Sequence, residues 1–131
     1  MITKKEINVP IYGGILTILI TDRNVYVKDH YDDLGADNEI TYAHTVRINT
    51  TKESKSIRAY LTAFHIKNEY AKITHGVIAH EAFHAADMIL AYHGLELTDS
   101  SCEAYAYLLQ WITNEIYKVF IKKNIEIYIK A

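Results

Sequence analysis

Along the chain the apolar positions change period near the middle. Up to about residue 66 they come in short β-branched or alternating runs, and beyond about residue 73 they recur every three or four positions. Residues 2–9, 15–21 and 25–28 read as strands, broken by Pro10, Gly13, Gly14 and the turn Asp22-Arg23-Asn24. Residues 40–49 and 57–66 read as a hairpin about 50–55. Between these strands, residues 29–39 hold Asp29, Asp32, Asp33, Asp37 and Glu39 without the D-x-[DN]-x-[DN]-G order of a calcium loop, so they read as a solvated connection.

The second half is helical in pattern. A first helix is predicted over about 73–93, with Gly94 placed to take the left-handed residue after its end. A second starts at Ser101, with Ser100 as its N-cap, and runs to about Lys122 behind an apolar face of Leu108, Leu109, Ile112, Ile116, Val119 and Phe120. Ile125, Ile127 and Ile129 alternate, as in a last strand or a partner-dependent arm. Strands followed by helices predict an α+β domain: a small, largely antiparallel sheet of about four to five strands with two long helices on one face.

Composition narrows the function classes. A length of 131 residues suits one domain over 1–131, able to bury a core without a disulfide. With 14 basic and 16 acidic residues the charge gives no reason to expect nucleic acid or an anionic membrane surface as partner. No apolar run approaches the roughly 20 residues that span a bilayer, so a soluble, cytoplasmic protein is expected. Lys4 and Lys5 ahead of the apolar 11–20 run imitate a signal peptide only faintly, because Glu6, Asn8 and Pro10 intervene. The single Cys102 excludes an internal disulfide and reads as a small buried residue. Seven His are the unusual feature, since His is the commonest metal ligand.

Two of them fall into a pattern. His80-Glu81-Ala82-Phe83-His84 is an H-E-x-x-H sequence inside the first predicted helix. Residues four apart on a helix lie one above the other, so His80 and His84 can aim at one ion while Glu81, rotated by about 100°, can reach a metal-bound water. Such a match arises in roughly 2–3 per cent of shuffled sequences of this composition, so the weight falls on context. Apolar residues cover nearly the whole circumference of this helix, which predicts burial, yet His80, Glu81, His84 and Asp87 gather within about 120° of arc. Four buried ionisable groups need partners, and a metal would be one. The structural alternative is a hydrogen-bonded core His pair with Glu81 ion-paired to it. Asp87 is a candidate acceptor for a ligand imidazole's second nitrogen, and His93 reads as a C-terminal helix residue interacting with the dipole.

A catalytic zinc needs a third protein ligand. Glu103, at the start of the second helix, is the candidate; the competing reading makes it the partner of Ser100 in an S-x-x-E capping box. On His80, Glu81, His84 and Glu103 the chain resembles the gluzincin metallopeptidases, the group of thermolysin and the aminopeptidase-N type enzymes. The eighteen residues from His84 to Glu103 match the aminopeptidase-N-like spacing. Ser101 to Ala106 also resembles the Glu-Ala context of ImmA-type peptidases, and the whole is similar to short zincin-like proteins of phages and Bacteroidetes. The metzincin extension is absent, since Asp87 and Leu90 stand where Gly and a third His would be required.

The resemblance implies a zincin-like fold, a Zn²⁺ cofactor, and a peptide or protein substrate. It also implies a strand beside the cleft that holds the substrate by β-pairing, for which residues 57–66 are the candidate. Glu81 would be the general base and Tyr107 the oxyanion stabiliser, with His75 and Tyr105 as alternatives. Two further readings stand beside it: a non-enzymatic phage virion or assembly protein that keeps the fold and a structural zinc, and a helical interaction module in which H-E-x-x-H is coincidental.

Overall fold

The computed structural model describes residues 2–22, 43–48, 58–67 and 72–130. Its strands are β1 (Ile2–Asn8), β2 (Ile15–Thr21), β3 (Ala43–Ile48) and β4 (Ala59–His65), followed by helices α1 (His75–Tyr92) and α2 (Cys102–Lys122). The domain is α+β, as expected. The predicted strand at 25–28, the acidic 29–39 segment and the 50–55 turn lie outside the described residues.

The sheet order is β1-β2-β4-β3. β1 pairs antiparallel with β2, β3 antiparallel with β4, and β2 parallel with β4 in the register Leu16↔Tyr60 and Ile18↔Thr62. The sheet is therefore mixed: two of the three described pairings are antiparallel, in line with the expectation, and the central one is parallel. β3 and β4 form the expected antiparallel pair, but β3 takes the outer position and leaves β2 and β4 side by side, running the same way. Both inner strands are buried along nearly their whole length, the pattern of strands covered on two faces. β1 instead carries Lys4, Lys5 and Glu6, charges that discourage further pairing at an edge.

Both helices pack on one face of the sheet. Leu16, Ile18, Ile20, Tyr60 and Phe64 meet Ile78, Ala82, Ala85 and Ile89 of α1 and Ile112, Ile116 and Phe120 of α2 in one core. On the opposite face Leu19, Leu61 and Ala63 form a smaller cluster with Val46 and Ile48.

The Thr74 side chain caps α1 by accepting from the Val77 amide, and Gly94 follows the helix at φ 76°, as its position predicted. At α2 the cap is Ser101, not Ser100, and its hydroxyl donates to the Glu96 carbonyl rather than capping the helix. The Ser100–Glu103 capping box is thus not formed. Cys102 is exposed, not buried, with Sγ donating to the Asp99 carbonyl. The tail makes a single parallel bridge, Thr74 to Tyr128, in place of a full strand. Two contacts set the antiparallel register of the helices: Tyr117 hydrogen-bonds and stacks on His75, and Tyr105 reaches Asp87. No described helix is long and apolar enough to cross a membrane.

Candidate metal centre

One turn of α1 brings His80 and His84 together. Their Nε2 atoms stand 3.0 Å apart with the rings edge to face, as i,i+4 spacing dictates. Two imidazoles bound to one tetrahedral zinc place their nitrogens about 3.3 Å apart, given Zn–N distances of about 2.0–2.1 Å. The pair therefore fits a zinc ion in donor type and in separation.

Burial differs from the sequence expectation. α1 is not covered all round: Ala79, Phe83 and Ala91 are exposed, and so are both His80 and His84. With both imidazoles exposed, no metal is needed to offset buried charge there, and the feature that fits a metal is the convergence of the two nitrogens. Only Glu81 of that group is buried, at 6% exposure, because its rotation along the helix turns it toward the sheet. There Thr45 of β3 donates its hydroxyl to Glu81 Oε1 at 2.7 Å, and Thr62 of β4 lies 3.2 Å from Thr45 Oγ1. Glu81 Oε2 is 3.9 Å from His80 Nε2. A cleft of about 270 Å³, lined by Thr74, Gly76, Val77, His80 and Glu81, opens beside them.

The other sequence candidates lie elsewhere. Asp87 accepts from the Tyr105 hydroxyl at 3.2 Å rather than from an imidazole, and burial, with that bond, pushes the Tyr105 phenol up from its ordinary value. The Leu95 carbonyl oxygen lies equally close to that hydroxyl, at 3.2 Å, so Tyr105 is committed to the helix junction and not to the cleft. His75 is engaged by Tyr117. His93 caps α1, as expected, with Nε2 2.9 Å from the Tyr12 carbonyl oxygen. Tyr107, proposed for the oxyanion, is largely exposed and lines a different cleft with Pro10, Ile11, Tyr12 and Trp111.

Glu103 is exposed on the first turn of α2. The ties at His75–Tyr117 and Asp87–Tyr105 put it level with Ile89, about 7.5 Å along the α1 axis beyond His84. That offset places it off the level of the His pair. Among the described residues no three His, Cys, Asp or Glu gather as a metal-holding group.

The strand assigned to substrate pairing also changes. β4 is hydrogen-bonded on both sides, to β2 and β3, and offers no free edge. The edge next to Glu81 belongs to β3. Thr45 and Thr62 were not singled out in the sequence; the only signal was strand alternation, which puts each on the helix-facing side if the register is known. His44 and His65 contribute nothing to the pair, since their strand positions face away from the helices. Compared with family models, curated proteins and solved structures, the chain matches none.

Proposed function

We propose that the chain is a zinc-dependent peptidase in which His80 and His84 supply two of the metal's ligands and Glu81 is the general base. The observation that supports this reading best is the 3.0 Å approach of two imidazole nitrogens next to a buried, hydrogen-bonded carboxylate. A zinc ion there would supply Lewis acidity and a water of lowered pKa. Glu81 does the proton work of the protein: Thr45 occupies Oε1, and Oε2 remains to take a proton from water and pass it to the leaving amine.

The outer edge of β3 is the complementary feature. It lies at the end of the sheet among the described strands, beside Glu81, and Arg47 is its one formally charged residue, whereas the β1 edge carries three. An extended peptide pairing with β3 would run past the cleft.

The test is hydrolysis of a quenched-fluorescent peptide library by zinc-loaded protein, wild type against Glu81→Gln. Loss of activity by about 100-fold or more in the variant is expected. A wild type that takes up zinc and gains thermal stability from it, but cleaves no peptide, would overturn the peptidase reading in favour of a structural metal. A wild type that takes up no zinc would make the His pair coincidental.

A further inference from the structure

The charge on Glu81 is managed from the sheet. Its carboxyl group is buried beneath strands whose other inward residues are largely apolar, a position that is costly for an anion without a donor. The donor is Thr45 Oγ1, 2.7 Å from Oε1, and it lies farther, at 3.3 Å, from the Glu81 backbone carbonyl. A hydroxyl has one proton, and the nearer, charged oxygen takes it. Thr62, 3.2 Å from Thr45 Oγ1, is then the donor to Thr45, so the hydrogen bonds run Thr62 to Thr45 to Glu81. Thr45 and Thr62 are direct partners in the β3–β4 ladder, and both are buried. The backbone register thus holds their hydroxyls side by side.

We infer that Thr45 is the positioning residue for Glu81: it holds Oε1 and so leaves Oε2 as the oxygen beside His80 and the cleft. This rests on the peptidase reading above. It also makes β3 serve twice, because the strand that is outermost among the described strands is the strand that orients the base. Thr45 touches no reacting atom. Its effect reaches the reaction only through the Glu81 carboxylate, so its loss changes turnover and leaves peptide affinity alone.

Two measurements on the full chain test this. With the best-cleaved peptide of the quenched-fluorescent library and zinc-loaded protein, Thr45→Val is expected to lower kcat by about tenfold or more while KM stays within about twofold. Thr45→Ser, which restores the hydroxyl, is expected to keep most of the wild-type rate. In metal-free protein, urea unfolding of Thr45→Val, Glu81→Met and the double variant is expected to show coupling of about fivefold or more in the unfolding constant. Equal losses in the Val and Ser variants, a loss carried by KM, or additive unfolding effects would each overturn the inference. A wild type without turnover sinks the peptidase reading, and the unfolding cycle then decides alone whether Thr45 holds Glu81.

Discussion

Nε2 of His80 and Nε2 of His84 face each other at 3.0 Å across one turn of α1. Without a metal, that contact needs one ring to donate and the other to accept; with one, both nitrogens present lone pairs to the same cation. Zinc is therefore expected to raise the melting temperature of the wild type, with a stabilisation of about 2.7 kcal/mol at a hundredfold excess over Kd. His80→Ala and His84→Ala should abolish the rise. Glu103→Ala should keep it, because Glu103 stands more than a turn out of level. Thermal melts with zinc and with chelator read all three, and a Glu103→Ala protein blind to zinc would mean that α2 sits differently against α1.

Phe64 of β4 and Phe120 of α2 meet edge to face with centroids 5.3 Å apart, both fully buried. This contact ties the last turn of α2 to the inner sheet. Phe120→Ala removes the ring and leaves a cavity, at an expected cost of about 3–5 kcal/mol. Phe120→Leu, which refills part of the volume, should cost less than half as much. Urea unfolding midpoints would separate the two.

Gly14 and Gly94 both have positive φ, at 89° and 76°. Their surroundings differ: a Cβ on Gly14 would stand 3.0 Å from the Arg58 carbonyl oxygen and 3.2 Å from the Tyr60 ring, whereas one on Gly94 meets nothing within 4 Å. Gly94→Ala should cost only the backbone term, about 1 kcal/mol, and Gly14→Ala at least twice that, because strand backbone must also move. Equal costs, measured by denaturant unfolding, would show that the turn before β2 yields easily.

Burial raises the phenols of Tyr60, Tyr105 and Tyr117 above the ordinary value of 10.0, with the bond to Asp87 adding to the effect at Tyr105. The unfolded chain then loses these protons first as the solution becomes alkaline. Stability is full below about pH 10 and falls as pH rises past it. Tyr105→Phe removes one contributor and should make the alkaline decline shallower. Melting temperatures taken between about pH 8 and pH 11 provide the check, and an unchanged slope in the variant would count against Tyr105.

The helices were legible because their signals are short-ranged. The three- to four-residue spacing and Gly94 place the ends of α1 within two residues, and H-E-x-x-H sets two imidazoles together by helix geometry alone. The surroundings were not. Apolar type all round α1 predicts burial, but type is not contact: Ala79 and Phe83 are exposed although both are hydrophobic. The spacing from His84 to Glu103 does not state how two helices slide against each other. Nor does the one-turn offset of Tyr107 from Glu103 say which cleft lies beside it, and in the fold that cleft is the one with Pro10, Ile11, Tyr12 and Trp111.

What the sequence by itself determined is whatever depends on neighbours a few residues apart: the succession of strands and helices, the αL stop at Gly94 and the facing of His80 and His84. The tertiary structure alone decided that β4 is interior and β3 outermost among the described strands, that Glu81 is held by Thr45, and that Tyr105 and Tyr117 meet Asp87 and His75. The reason is physical. Periodicity fixes which face of an element is apolar, but strand order and helix register are set by how distant side chains such as Phe64 and Phe120, or His75 and Tyr117, pack when the elements meet.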